Sequence, residues 1–300
     1  MIDIAASHKN RIGCSEVAAA LGVSPWQTAY QLWEIKTGRR ERDDIGGLLR
    51  IRLGNKLEQV VAELYQERTG NAVMRDRKEY THPNMPLVGH IDRRIVGQRK
   101  GLEIKTSLSK WIWDEWGEEW TDQIPIHYLT QVMSYLLLTG WESWDVAALL
   151  AGPELKIYTV KASTDLFGMI AAGVNVFWRC VETDTPPPIA TPEDAIRRWP
   201  ESVPGQSVIL PADSTPILDS YRQTKAEIKR LDGELAQSEL ALKAIIGDAE
   251  TLLDDGGKTI CTWKSQASTR LDVAAIKADG LYNAYAKTTT SRVFRLKGEK

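Results

Sequence analysis

The sequence predicts an α/β protein, a mixed β-sheet flanked by helices and followed by a helical, partly coiled-coil extension with a little β-structure. Three observations predict it. Two stretches, from about Ile45 or Leu48 to Arg68 and from Ile126 to Thr139, carry apolar residues at helical spacing and stop at Gly70 and Gly140. Short alternating or apolar runs, Leu87–Val96 with Gly101–Thr106 and Asp145–Leu150 with Leu155–Lys161, read as two hairpins. A proline cluster from Pro186 to Pro200 then breaks the pattern and divides the chain into residues 1–200 and 201–300.

The remaining elements follow in order. Ser15 is a candidate N-cap for a helix that stops at Gly22, and a second helix runs from near Thr28 to before Gly38. The long helix carries Leu53, Leu57, Val60, Val61 and Leu64 as one stripe. Tyr80 marks a strand. Leu87–Val96 is read as one continuous strand, turning at Gly97–Lys100. A tryptophan-rich segment from Trp111 is expected to be helical up to Pro125, and a further helix covers about Asp165–Val181. Beyond the prolines, Ile217–Ile246 places Tyr221, Ile228, Leu231, Leu235, Leu242 and Ile245 near a and d positions, with Thr224 and Ser238 interrupting the seam. It is half of a coiled-coil hairpin or an oligomerisation helix. Thr259–Lys300 mixes short strands with one short helix.

Composition narrows the function. No apolar run approaches the roughly 20 residues of a membrane span. Cys14, Cys180 and Cys261 stand apart, which excludes zinc ribbons and four-cysteine iron–sulfur clusters and fits a reducing cytoplasm. The 11 tryptophans, against 3 phenylalanines, read first as core packing. Net charge is −2, yet Arg39–Lys105 holds 15 basic against 10 acidic residues and Thr106–Pro200 holds 6 against 13. The basic stretch suits a polyanion.

The chemistry sits in Gly89-His90-Ile91-Asp92 and Glu103-Ile104-Lys105. With the hairpin centred between Gln98 and Arg99, Asp92 lies opposite Lys105, Glu103 is a diagonal neighbour, and Ile104 faces the core behind them. Phosphodiester hydrolysis needs a hard cation to neutralise charge building on phosphate oxygens, and hard cations prefer carboxylate ligands. Asp92 and Glu103 supply two, the Ile104 carbonyl a third, and Lys105 can orient the attacking water. Spacing alone favours a salt-bridged strand pair. Glu58 on the long helix can complete the metal shell, and Gln131 and Tyr135 share a face of the Ile126–Thr139 helix.

Together these motifs resemble a known family. Arg11-Ile-Gly-Cys-Ser15-Glu-Val-Ala-Ala-Ala-Leu-Gly-Val-Ser-Pro25, Gly54-Asn-Lys-Leu-Glu58, Asp92, Glu103-Ile-Lys105 and Gln131-x-x-x-Tyr135 look like the lambda-exonuclease/YqaJ-type viral recombinases, a branch of the PD-(D/E)XK nucleases. The likeness spans about residues 8–182. It implies a restriction-endonuclease-like core and an enzyme that degrades one strand of linear double-stranded DNA 5′→3′, leaving 3′ overhangs for phage-type recombination. It implies Mg²⁺, replaceable by Mn²⁺, with two ions during catalysis, held by Asp92, Glu103, the Ile104 carbonyl and Glu58. Lys105 would position the water, with Gln131 near the same site. Ser15, Arg11, His90 and Tyr135 would contact DNA, Ser15 in a 5′-phosphate pocket.

The resemblance also implies a duplex substrate with a 5′-phosphate end, a single-strand annealing partner of the RecT/Bet kind and a homo-oligomer, a trimeric ring being favoured. It places the protein in the cytoplasm of a bacterial host, encoded by a phage or prophage. Three departures stand out. His90 occupies a position where some relatives carry a small polar residue, and it can donate to phosphate, tune pH dependence or merely pack. Arg93 replaces a glycine after Asp92 and is expected to point away. Lys9 rivals Arg11 as the expected basic residue. Two other readings remain: a RecB-type or Cas4-like nuclease without its iron–sulfur cluster, and a non-catalytic DNA-binding scaffold.

Overall fold

The computed structural model describes residues 10–107, 115–150 and 154–297. The chain divides into two compact units, Met1–Pro200 and Glu201–Lys300.

The first unit opens with β1 (Ile12–Gly13), a one-turn 3₁₀ helix (Cys14–Glu16), α1 (Val17–Ala20) and α2 (Ala29–Lys36). Thr28 caps α2 by accepting the Gln31 N–H at 3.1 Å. The long α3 (Leu49–Thr69) ends at Gly70, whose φ of 71° is left-handed. Strands β2 (Val73–Arg75), β3 (Glu79–Thr81), β4 (Leu87–His90), β5 (Arg93–Ile95) and β6 (Lys100–Ser107) follow. Then come α4 (Ile126–Thr139), β7 (Ser143–Leu150), β8 (Glu154–Lys161), α5 (Thr164–Glu182) and α6 (Pro192–Arg198).

A mixed five-stranded sheet runs β2-β5-β6-β7-β8, parallel only between β6 and β7. A second sheet orders β1-β4-β3, with β1 parallel to β4. On one face of the large sheet, Val61, Ala62 and Tyr65 of α3 cover Ile95, Leu102, Ile104, Ala147 and Ile157. On the other, Val132, Met133 and Leu136 of α4 pack with Val146, Ala148, Tyr158 and Val160. Strand β7 is buried on both faces, which is why Val146–Leu150 reads as a continuous apolar run. Gly101 lies under Trp144; a Cβ there would come within 2.2 Å of the indole, so only glycine lets β6 pass.

Several expectations are corrected. Leu87–Val96 is two strands in two sheets, broken at Ile91-Asp92, because Ile91 turns into the cluster that α4 covers. The hairpin register pairs Arg93 with Leu102, two residues along β6 from the expected one. Gly97, at φ 76°, takes the left-handed turn position and closes the turn early. The shift is even, so Asp92, Glu103 and Lys105 keep one face. The described part of the tryptophan-rich segment is irregular rather than helical; Trp111 and the Gly152-Pro153 turn lie outside the described residues, as does Lys9. The proline region contains α6, capped by Thr191 with Pro192 in its first turn. Its buried Asp194 accepts the Thr28 hydroxyl at 2.8 Å, tying the segment to the first unit.

The second unit holds α7 (Thr215–Ile246), a hairpin of β9 (Thr251–Leu253) and β10 (Thr259–Thr262), α8 (Val273–Ala278) and α9 (Tyr282–Tyr285). Ile217, Ile228, Leu231, Leu235 and Ile245 are exposed along α7. Among the described residues, no helix is long and apolar enough to cross a membrane.

Candidate active site

The break between β4 and β5 positions Asp92. Its Oδ2 accepts the Ile104 N–H at 3.0 Å, replacing the ladder bond that a longer β5 would have made. On a strand, N–H and C=O of one residue face the same neighbour, so the Ile104 carbonyl opens on the Asp92 side as well. Alternation along β6 sends Glu103 and Lys105 to the α4 face and Ile104 into the α3 face.

The three polar side chains and Gln131 form one network. Glu103 Oε1 accepts from Lys105 Nζ at 2.6 Å and from Gln131 Nε2 at 2.8 Å. Gln131 Oε1 accepts from the same ammonium at 3.1 Å. The ammonium also stands 4.7 Å from the centre of the Tyr128 ring. Glu103 is buried, and its other oxygen, Oε2, has no hydrogen-bond partner among the described residues. Burial first, and the Glu103 charge second, hold the Asp92 carboxyl well above the ordinary carboxylate range. Burial alone would lower Lys105, but Glu103 and Asp92 outweigh it and the net shift is upward. Lys105 is therefore a fixed cation at neutral pH.

Two crowded carboxylates, one with an orphaned buried oxygen, form the donor set that a hard divalent cation fits. Among the described residues no group of three or more His, Cys, Asp and Glu converges on such an ion. The third acid, Glu58, reaches the site's edge from α3 but is held by Arg93 at 2.5 Å, with Arg75 at 3.8 Å. Arg93 points to the opposite face, as expected, but it is not idle there. Its buried guanidinium also donates to the Asp92 carbonyl at 2.8 Å, joining Glu58 to the strand break. The departure from glycine after Asp92 was its only signal in the sequence.

The expected DNA contacts fare differently. Tyr135 is buried; its hydroxyl accepts from Gln131 at 2.8 Å, so it holds Gln131 and is closed to DNA. Ser15 is not an N-cap but lies exposed within the 3₁₀ turn. Glu16 explains this: it accepts the Gly13 N–H at 2.7 Å, pairs with Lys36 at 2.6 Å and with Arg42, and so puts its own carboxylate at the turn's start. Ser15 and His90 leave the same end of the parallel β1–β4 pair. His90 faces Glu79 at 3.4 Å, and Arg11 pairs with Glu79 at 3.1 Å. Glu79 therefore joins Arg11 to His90, a role with no sequence signal because it depends on the β3–β4 pairing.

His127, at the start of α4, is buried against Trp26 and Tyr128. Burial, then the Lys105 charge, pushes its pKa down to about 4. The folded pKa lies below the unfolded value near 6.5, so this contribution to stability is full above that value and is lost as pH falls toward about 4. Urea unfolding should show a lower midpoint at pH 5 than at pH 7, and His127→Gln should shrink that difference. An unchanged difference would remove His127 as its source.

A carboxylate pair, a fixed lysine and a glutamine thus lie together on a mixed sheet, a donor set with the chemistry to hold a hard cation. Residues 5–142 match the model of the YqaJ-like viral recombinase domain. A curated relative from Bacillus subtilis (strain 168), "Uncharacterized protein YqaJ", is 28% identical over 297 residues, covering 96% of this chain and 91% of its own. Among solved structures, an alkaline exonuclease (LHK-Exo) from Laribacter hongkongensis aligns with a TM-score of 0.48 at 16% identity, over 60% of this chain and 92% of that one. A phage related exonuclease from Haemophilus somnus 129PT aligns with a TM-score of 0.44 at 13% identity, over 60% of this chain and 99% of that one.

Proposed function

We propose that the protein is a divalent-cation-dependent DNA nuclease, acting 5′→3′ on one strand of linear double-stranded DNA to leave 3′ overhangs for recombination. The observation that carries this reading is the Asp92–Glu103 pair, with its orphaned Glu103 oxygen, beside the Lys105 ammonium. The match to a viral recombinase domain supports the recombination setting.

Asp92, Glu103 and the Ile104 carbonyl would hold Mg²⁺, or Mn²⁺ in its place, with Glu58 assisting when a second ion is present. Such an ion, when bound, neutralises charge on the phosphate and lowers the pKa of its water. Lys105 presents a cation to the scissile phosphate and orients the nucleophile. Gln131, braced by Tyr135, fixes both Lys105 and Glu103, so their geometry is set before substrate arrives. The 5′-phosphate would meet Ser15, Arg11 and His90 at the shared end of β1 and β4. A homo-oligomer, as a trimeric ring, and a RecT/Bet-like annealing partner complete the reading, in a bacterial cytoplasm.

The test is digestion of an end-labelled linear duplex with Mg²⁺. Mononucleotides should be released from 5′-phosphorylated ends, with covalently closed circles left intact. Efficient nicking of closed circles would overturn the exonuclease reading. Lys105→Ala should abolish release while still binding DNA, and full activity in that variant would remove the lysine from the mechanism.

A further inference from the structure

Trp26 is 63% exposed, and no part of the cleavage chemistry above uses it. It is held in place nonetheless. The Ser24 hydroxyl accepts the N–H groups of Trp26 and Gln27, each at 3.3 Å. The indole stands edge-on to the His127 ring, 4.5 Å between centres and 80° between planes. His127 lies 4.1 Å from the Tyr128 ring, and Tyr128 carries the Lys105 ammonium at 4.7 Å. Trp26 is thus linked to the active lysine through two rings.

Two clefts of opposite character lie beside it. One, of about 520 Å³, has mainly apolar walls from Val23, Pro25, Ile124 and Ile126, with Ser24, His127 and one acid, Glu115, also lining it. His127 is only 6% exposed, and its Nε2 has no hydrogen-bond partner among the described residues. A buried ring nitrogen left unmatched is costly unless something else meets it. The other cleft, of about 410 Å³, includes Trp26 itself with Arg40, Arg42 and Arg197, against one acid, Asp43. These arginines already pair with Asp43, Glu16 and Glu34 respectively. A guanidinium has five donors, so each retains donors for a second anion.

A ligand that suits both clefts has flat apolar faces and a hydrogen-bonding edge at one end, and negative charge at the other. A nucleotide unit has that form. A base inside a duplex hides its faces in the stack, whereas an unpaired base exposes them to an aromatic platform. We propose that Trp26 and the His127 cleft form a subsite for one unpaired nucleobase, with the adjoining backbone phosphate on the arginine side. The inference rests on the nuclease reading and adds to it a place for the strand end beside Lys105.

The experiment measures binding by the full-length protein in Ca²⁺-containing, Mg²⁺-free buffer, with three fluorescent DNA probes. One is a linear duplex ending in two unpaired 5′ nucleotides, one has those two nucleotides abasic, and one carries 2-aminopurine at the first unpaired position. Trp26→Ala should weaken binding of the first probe by about 5- to 100-fold, since stacking of one base on an aromatic ring contributes that much. It should leave the abasic probe nearly unaffected, and Trp26→Phe should recover most of the loss. The 2-aminopurine emission should fall on binding to wild type and not to Trp26→Ala. An equal loss for intact and abasic probes would overturn the subsite while leaving the nuclease reading standing. Absence of wild-type binding to any of the probes would overturn both. Melting curves of the two variants separate loss of the platform from loss of the fold, because an unfolded variant would lose the abasic probe as well.

Discussion

Asp92→Asn is expected to abolish metal-dependent cleavage and, in metal-free buffer, to raise the melting temperature. The two effects share a cause. Asp92 is crowded by burial and by the Glu103 charge, and its carboxyl is held above the usual carboxylate range. The sign follows from linkage: an acid whose folded pKa is raised favours folding when protonated, and that contribution is lost as pH rises through the unfolded value toward the folded one. At neutral pH folding of the metal-free wild type therefore requires Asp92 either to take up a proton or to bear the repulsion, and a neutral amide needs neither. The same amide removes one of two carboxylates from the cation's donor set. The charge stabilisation lost is several kcal/mol, a drop of about a thousandfold or more in rate. Thermal melts with and without Mg²⁺ should show stabilisation of wild type by the ion and little in the variant. Wild-type cleavage by Asp92→Asn, or an equal Mg²⁺ shift in both proteins, would sink the assignment.

The second large effect is expected at Arg93. Its guanidinium joins Glu58 to the Asp92 carbonyl, and Gln59 lies 3.4 Å away. A partner that orients a carboxylate near a metal typically contributes 10- to 100-fold to metal affinity or activity. Arg93→Lys keeps the charge but not the fork, and it should raise the Mg²⁺ concentration for half-maximal cleavage by about tenfold. Mn²⁺ binding followed by electron paramagnetic resonance should weaken in parallel, without any turnover. In a Glu58→Gln background the Arg93 substitution should add little, because both changes remove one interaction. Additive losses would show that Arg93 acts on folding and not through Glu58.

Much of the first unit was legible from local pattern. The stretches ending at Gly70 and Gly140 became α3 and α4 because a glycine at a left-handed position follows each amphipathic run. The face shared by Asp92, Glu103 and Lys105 was legible too, since an even register error leaves side chains on the same side. What misled was the continuity of Leu87–Val96. Alternation reads the same whether a strand stays in one sheet or passes into a second, and here it passes at Ile91.

The sequence by itself singled out the candidate residues and the elements that carry them, because periodicity and caps are local. Only the tertiary structure decided their partners. It set the bonds among Glu103, Lys105 and Gln131, and it buried Tyr135 behind Gln131. It turned Arg93 to Glu58 across 35 residues of chain, and it joined Arg11 and His90 through Glu79. It also stood an exposed tryptophan on a buried histidine. Hydrogen bonds, ion pairs and ring contacts between distant segments depend on how elements pack, and no spacing along the chain encodes that distance.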